Sequence, residues 1–333
     1  VWDGKTPYIV PKAVFDACED EDMGDHHLTW HLSRKYYSSG SDVRKWLDQN
    51  GIGAADLQEG DPGNGIDFMW MHRAAILDMR AKYGHIAVPN DPEGRKTMHD
   101  VLRGWDSDQQ VIDGLRAFGR NPKHFEDALQ TINNFAGFQN EDEFCNFIQT
   151  SLRLASADPK NPKKRNYVYD SNPGAGIHNW LHGEFEDEAS PISTGSARSN
   201  MHNILFWRIH GWVDWKWSQY EAAHPRSAAE QAVYDAFMTR YQKMAPVKTS
   251  AATSTSASTQ APTTKPGPRP LPPPIDPNDI DAVLKYRQEE AAKKDRHYAK
   301  VPTDIVDKAV DVLFHDQQPC ANYKRGMSDT RCP

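Results

Sequence analysis

The stretch Asp25-His26-His27-Leu28-Thr29-Trp30-His31-Leu32 decides how this 333-residue chain is read. His27 and His31 stand four residues apart, and on a helix that spacing projects both imidazoles from one face. A second HxxxH occurs at His178-Asn179-Trp180-Leu181-His182. Two more histidines close aromatic-rich runs, Phe68-Met69-Trp70-Met71-His72 and Phe206-Trp207-Arg208-Ile209-His210. Two i, i+4 pairs, each completed by one further histidine, make two three-imidazole sites. Imidazole suits copper, zinc, iron and nickel. A HExxH zinc protease needs Glu after the first His, where Leu28 and Asn179 stand. A carboxylate-bridged di-iron bundle needs inward Glu and ExxH patterns, which these helices do not supply. Six neutral imidazoles without a ligating carboxylate favour copper. A lone HxxxH is common on surface helices. Here, however, apolar and aromatic residues flank every one of the six, and buried imidazoles need partners.

The body around these windows reads as mainly helical, a bundle able to hold a dinuclear centre. Apolar spacing predicts helices over 26–37, 66–83, 97–117, 125–136, 141–155, 177–188 and 201–222, and period-2 strands are scarce. Residues 246–275 hold 22 Pro, Ser, Thr or Ala among 30 positions, which cannot build a core and reads as an extended linker. The linker divides a body, 1–245, from a tail, 276–333, with helical patterns at 276–300 and 302–314. The body has a net charge of −9, and linker and tail together +2. An acidic body argues against nucleic acid as a partner. No run of 18 apolar residues suggests a membrane span. Val1 is followed by no apolar signal segment, so any targeting signal is expected outside the sequence, and a secreted or periplasmic location stays open. A homo-oligomer stays open as well. Of the four cysteines, Cys320 and Cys332 either close a short terminal loop or stay free like Cys18 and Cys145.

In these windows the chain resembles the type-3 copper proteins: tyrosinases, catechol oxidases, prophenoloxidases and hemocyanins. HHLTWHL and FMWMHR are similar to the copper-A runs, and HNWLH and FWRIHGWVD to the copper-B runs, in the family's order and within 26–217. The resemblance implies copper A on His27, His31 and His72 and copper B on His178, His182 and His210. It implies that Asp214 orients a ligand and that Phe206 packs beside the pair. The cofactors implied are two copper ions, with O2 as co-substrate. The substrate implied is a phenolic small molecule or a peptidyl tyrosine, hydroxylated ortho to its oxygen and oxidised to an o-quinone. A phenol loses its proton near pH 10 unaided, so a base helps. In tyrosinases an Asn after the first copper-B His, with a nearby acid, holds a basic water. Asn179 matches it, and Asp170, Glu184 and Glu186 are the acids within reach in sequence.

The chain also departs from the pattern. Thr29 replaces the Cys that forms a thioether in many tyrosinases. The 41-residue step from His31 to His72 is longer than usual in hemocyanins, which suggests an added loop around the site. Met201-His202-Asn203 replaces the usual Asp-Pro before the last copper-B run, and His202 is a weaker ligand candidate. The small polar run 190–200 suggests an open mouth. Latent family members cover their coppers with a C-terminal segment, and Tyr323 in the tail is a phenol suited to that part. A catechol or o-aminophenol oxidase without hydroxylase activity, a hemocyanin-like O2 carrier, and a helical bundle whose histidines bind zinc or nothing remain as alternatives.

Overall fold

In the computed structural model, α4 (Asn64–Tyr83) and α10 (Ile204–Ala223) are the central helices. Both are buried nearly all round over their ligand-bearing halves, Asn64–Ile76 and Ile204–Val213. Such helices are packed on every side rather than amphipathic. Around them run α1 (Lys12–Asp20), α2 (Met23–Arg34), α3 (Ser41–Gln49), α5 (Met98–Arg103), α6 (Asp108–Ala117), α7 (Lys123–Ile132), α8 (Glu141–Gln149) and α9 (Ile177–Glu184). The structure describes residues 8–21, 23–49, 52–55, 57–158, 161–186, 192–228 and scattered positions from 230 to 238. The linker 246–275, the tail 276–333, Tyr323, Cys320 and Cys332 lie outside the described residues. Cys18 and Cys145 are buried and joined in no disulfide, and burial pushes the Cys18 thiol up.

The helical class expected from sequence is therefore present, with differences in its parts. The run 97–117 is two helices, broken at Gly104-Trp105. Gly104 has φ +67°, and a Cβ there would lie 2.3 Å from the Cα of Gly211 on α10. The break lets α10 cross at backbone contact, which only glycine at both positions permits. The run 141–155 is helical only to Gln149. Leu152 begins an antiparallel hairpin, β1 (Leu152–Asp158) with β2 (Asn161–Tyr169), bulged after Leu154. Its weak alternation hides it, because the hairpin is largely solvent-exposed and little apolar patterning is needed. α1 and α3 were not expected either. α3 occupies the long step between His31 and His72, so that insertion is partly a helix rather than a loop alone.

The start of α4 is held by tertiary contacts. The Asp142 carboxylate on α8 accepts from Gly63 N at 2.6 Å and Ile66 N at 3.1 Å, serving orphan donors of the first turn. Partly buried ion pairs tie three of the histidine-bearing helices, α2, α4 and α10, to one another. Arg34 on α2 meets Asp67 on α4 at 2.6 Å. Arg73 on α4 meets Asp214 and, at 2.8 Å, Glu221, both on α10. Among the described residues no helix is long and apolar enough to cross a membrane.

Candidate metal centre

The four ligand helices deliver six imidazoles as two groups. In the first, His31 Nε2 is 3.1 Å and His72 Nε2 is 3.4 Å from His27 Nε2. In the second, His182 Nε2 is 3.0 Å from His178 Nε2, and His210 Nε2 is 3.2 Å from each. In each group the donor atoms lie within 4.8 Å of one another. Five of the six side chains are buried, and His31 is the partly exposed one. The pairs expected from the HxxxH spacing thus come together with His72 and His210 as the completing members.

The ring orientations have a physical cause. His27 Nδ1 lies 2.7 Å from Ala197 O, His72 Nδ1 2.8 Å from Phe68 O, and His182 Nδ1 2.7 Å from Thr194 O. A carbonyl oxygen only accepts, so these Nδ1 atoms carry the proton and each Nε2 presents a lone pair. Two such lone pairs, on His27 and His72, face one another at 3.4 Å. Facing lone pairs repel, and a cation shared between them removes the repulsion. Burial also holds the rings neutral: it pushes His27 and His182 down to about 4, and His31, His72, His178 and His210 well below the ordinary value. Neutral imidazole is the metal-binding form. The donor set therefore fits two metal ions.

The two groups share a wall. The rings of His72 and His210 stack at 4.2 Å between centroids, 8° from parallel. Phe206 lies against His210 at 4.2 Å and reaches across to His27 at 5.4 Å. Phe68 lies against His72 at 4.2 Å and reaches across to His178 at 4.8 Å. Each phenylalanine sits four residues before the ligand of its own helix, so the two halves are related by a pseudo-twofold. The packing place expected for Phe206 is occupied. Its counterpart Phe68 is legible from the same FxxxH spacing and takes the matching place on the other side.

Other expected residues stand differently. Asp214 bonds Arg73 rather than an imidazole, so it acts on the neighbour of His72 and ties α4 to α10. The Nδ1 atoms that have partners are held by backbone carbonyls instead. His202 joins neither group: it meets Glu19 at 2.8 Å and packs on Phe15 at 4.4 Å. The run near 190–200 is not an open mouth in its described part, since Ser193, Thr194 and Ser196 are buried. It is the strap that supplies the Ala197 and Thr194 carbonyls. Glu186, considered as a water-holding acid, anchors that strap: its carboxylate accepts from Thr194 N at 2.8 Å, Thr194 Oγ1 at 2.7 Å and Gly195 N at 3.1 Å. Asp170 pairs with Arg153, and Glu184 approaches Arg120. Asn179 is exposed on α9, one residue after His178. His85, His99, His124 and His224 are exposed, as expected of histidines outside the pattern. Comparison with protein-family models, curated proteins and solved structures gave no match.

Proposed function

We propose that this chain is a type-3 dicopper oxidase that uses O2 to hydroxylate monophenols at the ortho position and to oxidise o-diphenols to o-quinones. The reading is carried by the two three-imidazole groups meeting wall to wall through His72 and His210. A set of imidazoles suits copper among other metals, and the absence of a carboxylate from either group favours it over the hard cations. Two coppers so held would supply oxygen binding and two-electron oxidation. The residues around them do the rest. Phe68 and Phe206 keep water from the shared wall. His31, the least buried ligand, marks the side from which a phenol ring arrives. Asn179, exposed after His178, is the residue we assign to hold a water that takes the phenol proton. The sequence tail is assigned to regulation, with Tyr323 covering the coppers in a latent form.

The test is copper loading of the full chain under air. The oxygenated protein should gain a strong near-ultraviolet band, and added tyrosine, catechol and o-aminophenol should be consumed with O2. Zinc bound in preference, or a band without turnover of any of the three, would overturn the oxidase reading; the second outcome leaves an oxygen carrier. If Asn179 positions the water, Asn179→Ala should lower monophenol turnover more than diphenol turnover.

A further inference from the structure

A small cavity of about 70 Å³, partly open to solvent, adjoins both histidine groups. It is lined by His27 and His72 of the first group, by His210 of the second, by the methionines Met23, Met71 and Met201, and by His26. No carboxylate or amine lines it. Met71 and Met201 are buried, whereas Met23 and His26 are partly exposed at the outer end. Methionine is often only a flexible filler of irregular gaps. Here the thioethers sit in a cavity that shares a wall with metal-binding imidazoles. On α2, Met23, His27 and His31 recur at four-residue steps, so they form one stripe, each about 5–6 Å from the next. Soft thioether donors select Cu(I) over harder ions.

The geometry points to this cavity as a Cu(I) loading site, in which Met23, Met71, Met201 and His26 receive the ion and hand it to His27 and His72. The inference rests on the dicopper reading above. The transfer balances without a redox step. Copper remains Cu(I), its bonds to the thioether sulfurs and to the His26 imidazole break, and bonds to the Nε2 atoms of His27 and His72 form. No proton has to leave, because the Nδ1–H of His27 already donates to Ala197 O and that of His72 to Phe68 O. Neutral donors at every position leave the ion weakly held, as a transfer site requires.

The experiment supplies Cu(I) to the metal-free full chain anaerobically from a competing chelator. It follows copper per chain over time and the copper X-ray absorption at partial loading. The wild type should show sulfur neighbours at early times and finish with nitrogen neighbours only, at two coppers per chain. The triple variant Met23→Leu, Met71→Leu, Met201→Leu keeps side-chain volume nearly unchanged. It should lose the sulfur signal and fill at least about tenfold more slowly to the same end point. Met23→Leu alone, at the exposed end, should slow loading in the same direction and guards against a misfolded triple variant. Nitrogen-only neighbours throughout, with wild-type loading rates in both variants, would overturn the loading site and leave the dicopper reading standing. A wild-type chain that never fills its six histidines with copper would overturn that reading and the loading site with it.

Discussion

His182 shows how much of a candidate metal centre lies one bond beyond the residues that could hold the metal. Its ring is aimed by the Thr194 carbonyl, and Thr194 is in turn fixed by Glu186. Partners that orient a ligand imidazole are worth roughly 10–100-fold in metal affinity. Glu186→Ala is therefore expected to weaken copper at the His178 group by about that factor and to leave the His27 group nearly unchanged, as competition with a chelator would read. The six imidazoles also make metal-free stability depend on pH. Burial lowers the His27 pKa from 6.5 to about 4. Between those values the unfolded chain binds more protons than the folded one, so stability rises with pH there and is lost as pH falls from about 6.5 toward 4. For His27 alone the loss amounts to ~3 kcal/mol. The melting temperature of the metal-free chain should fall through that window, and that of the metal-loaded chain should hold to lower pH; coincident curves would contradict metal binding by these rings.

At the scale of elements, the site depends on how closely its helices approach. The Gly104–Gly211 contact sets α10 against the break after α5. Gly211→Ala places a methyl group against backbone and is expected to cost ~1–3 kcal/mol, with helix propensity recovering only a part. Chemical denaturation measures it, and an unchanged midpoint would show that the crossing is looser than described. The sequence reveals the HxxxH pairs because helical periodicity is local: four residues of spacing already place two imidazoles on one face. It does not reveal that Asp214 answers Arg73, 141 positions away, since a carboxylate at a given spacing meets whatever the tertiary packing brings. The hairpin was hidden for the same reason in reverse. A largely exposed strand such as Asn161–Tyr169 carries polar residues on both faces and leaves no periodic apolar mark. The run near 190–200 misled because small polar residues suit a buried strap, where their hydroxyls and backbone amides bond Glu186, as well as they suit an open surface.

At the scale of the whole molecule, the sequence sets a Pro-, Ser- and Thr-rich stretch of net charge +3, 246–275, between the acidic histidine-bearing part of the chain and the residues that follow it. If Tyr323 covers the coppers in the latent form, ending the chain at about residue 275 should raise turnover of phenols, and unchanged kinetics would dismiss a covering tail. The two histidine groups answer one another, His27, His31 and His72 with Phe68 on α2 and α4, and His178, His182 and His210 with Phe206 on α9 and α10. The two groups meet through histidine and phenylalanine rings, with no carboxylate in either donor set. Metal ions bound there keep their full positive charge, because nothing in the donor sets neutralises it. Electroneutrality must then come from solution. If metals occupy it, the centre would draw small anions: hydroxide and halide should compete for it, and a phenol should settle there more readily as its conjugate base than as the neutral molecule.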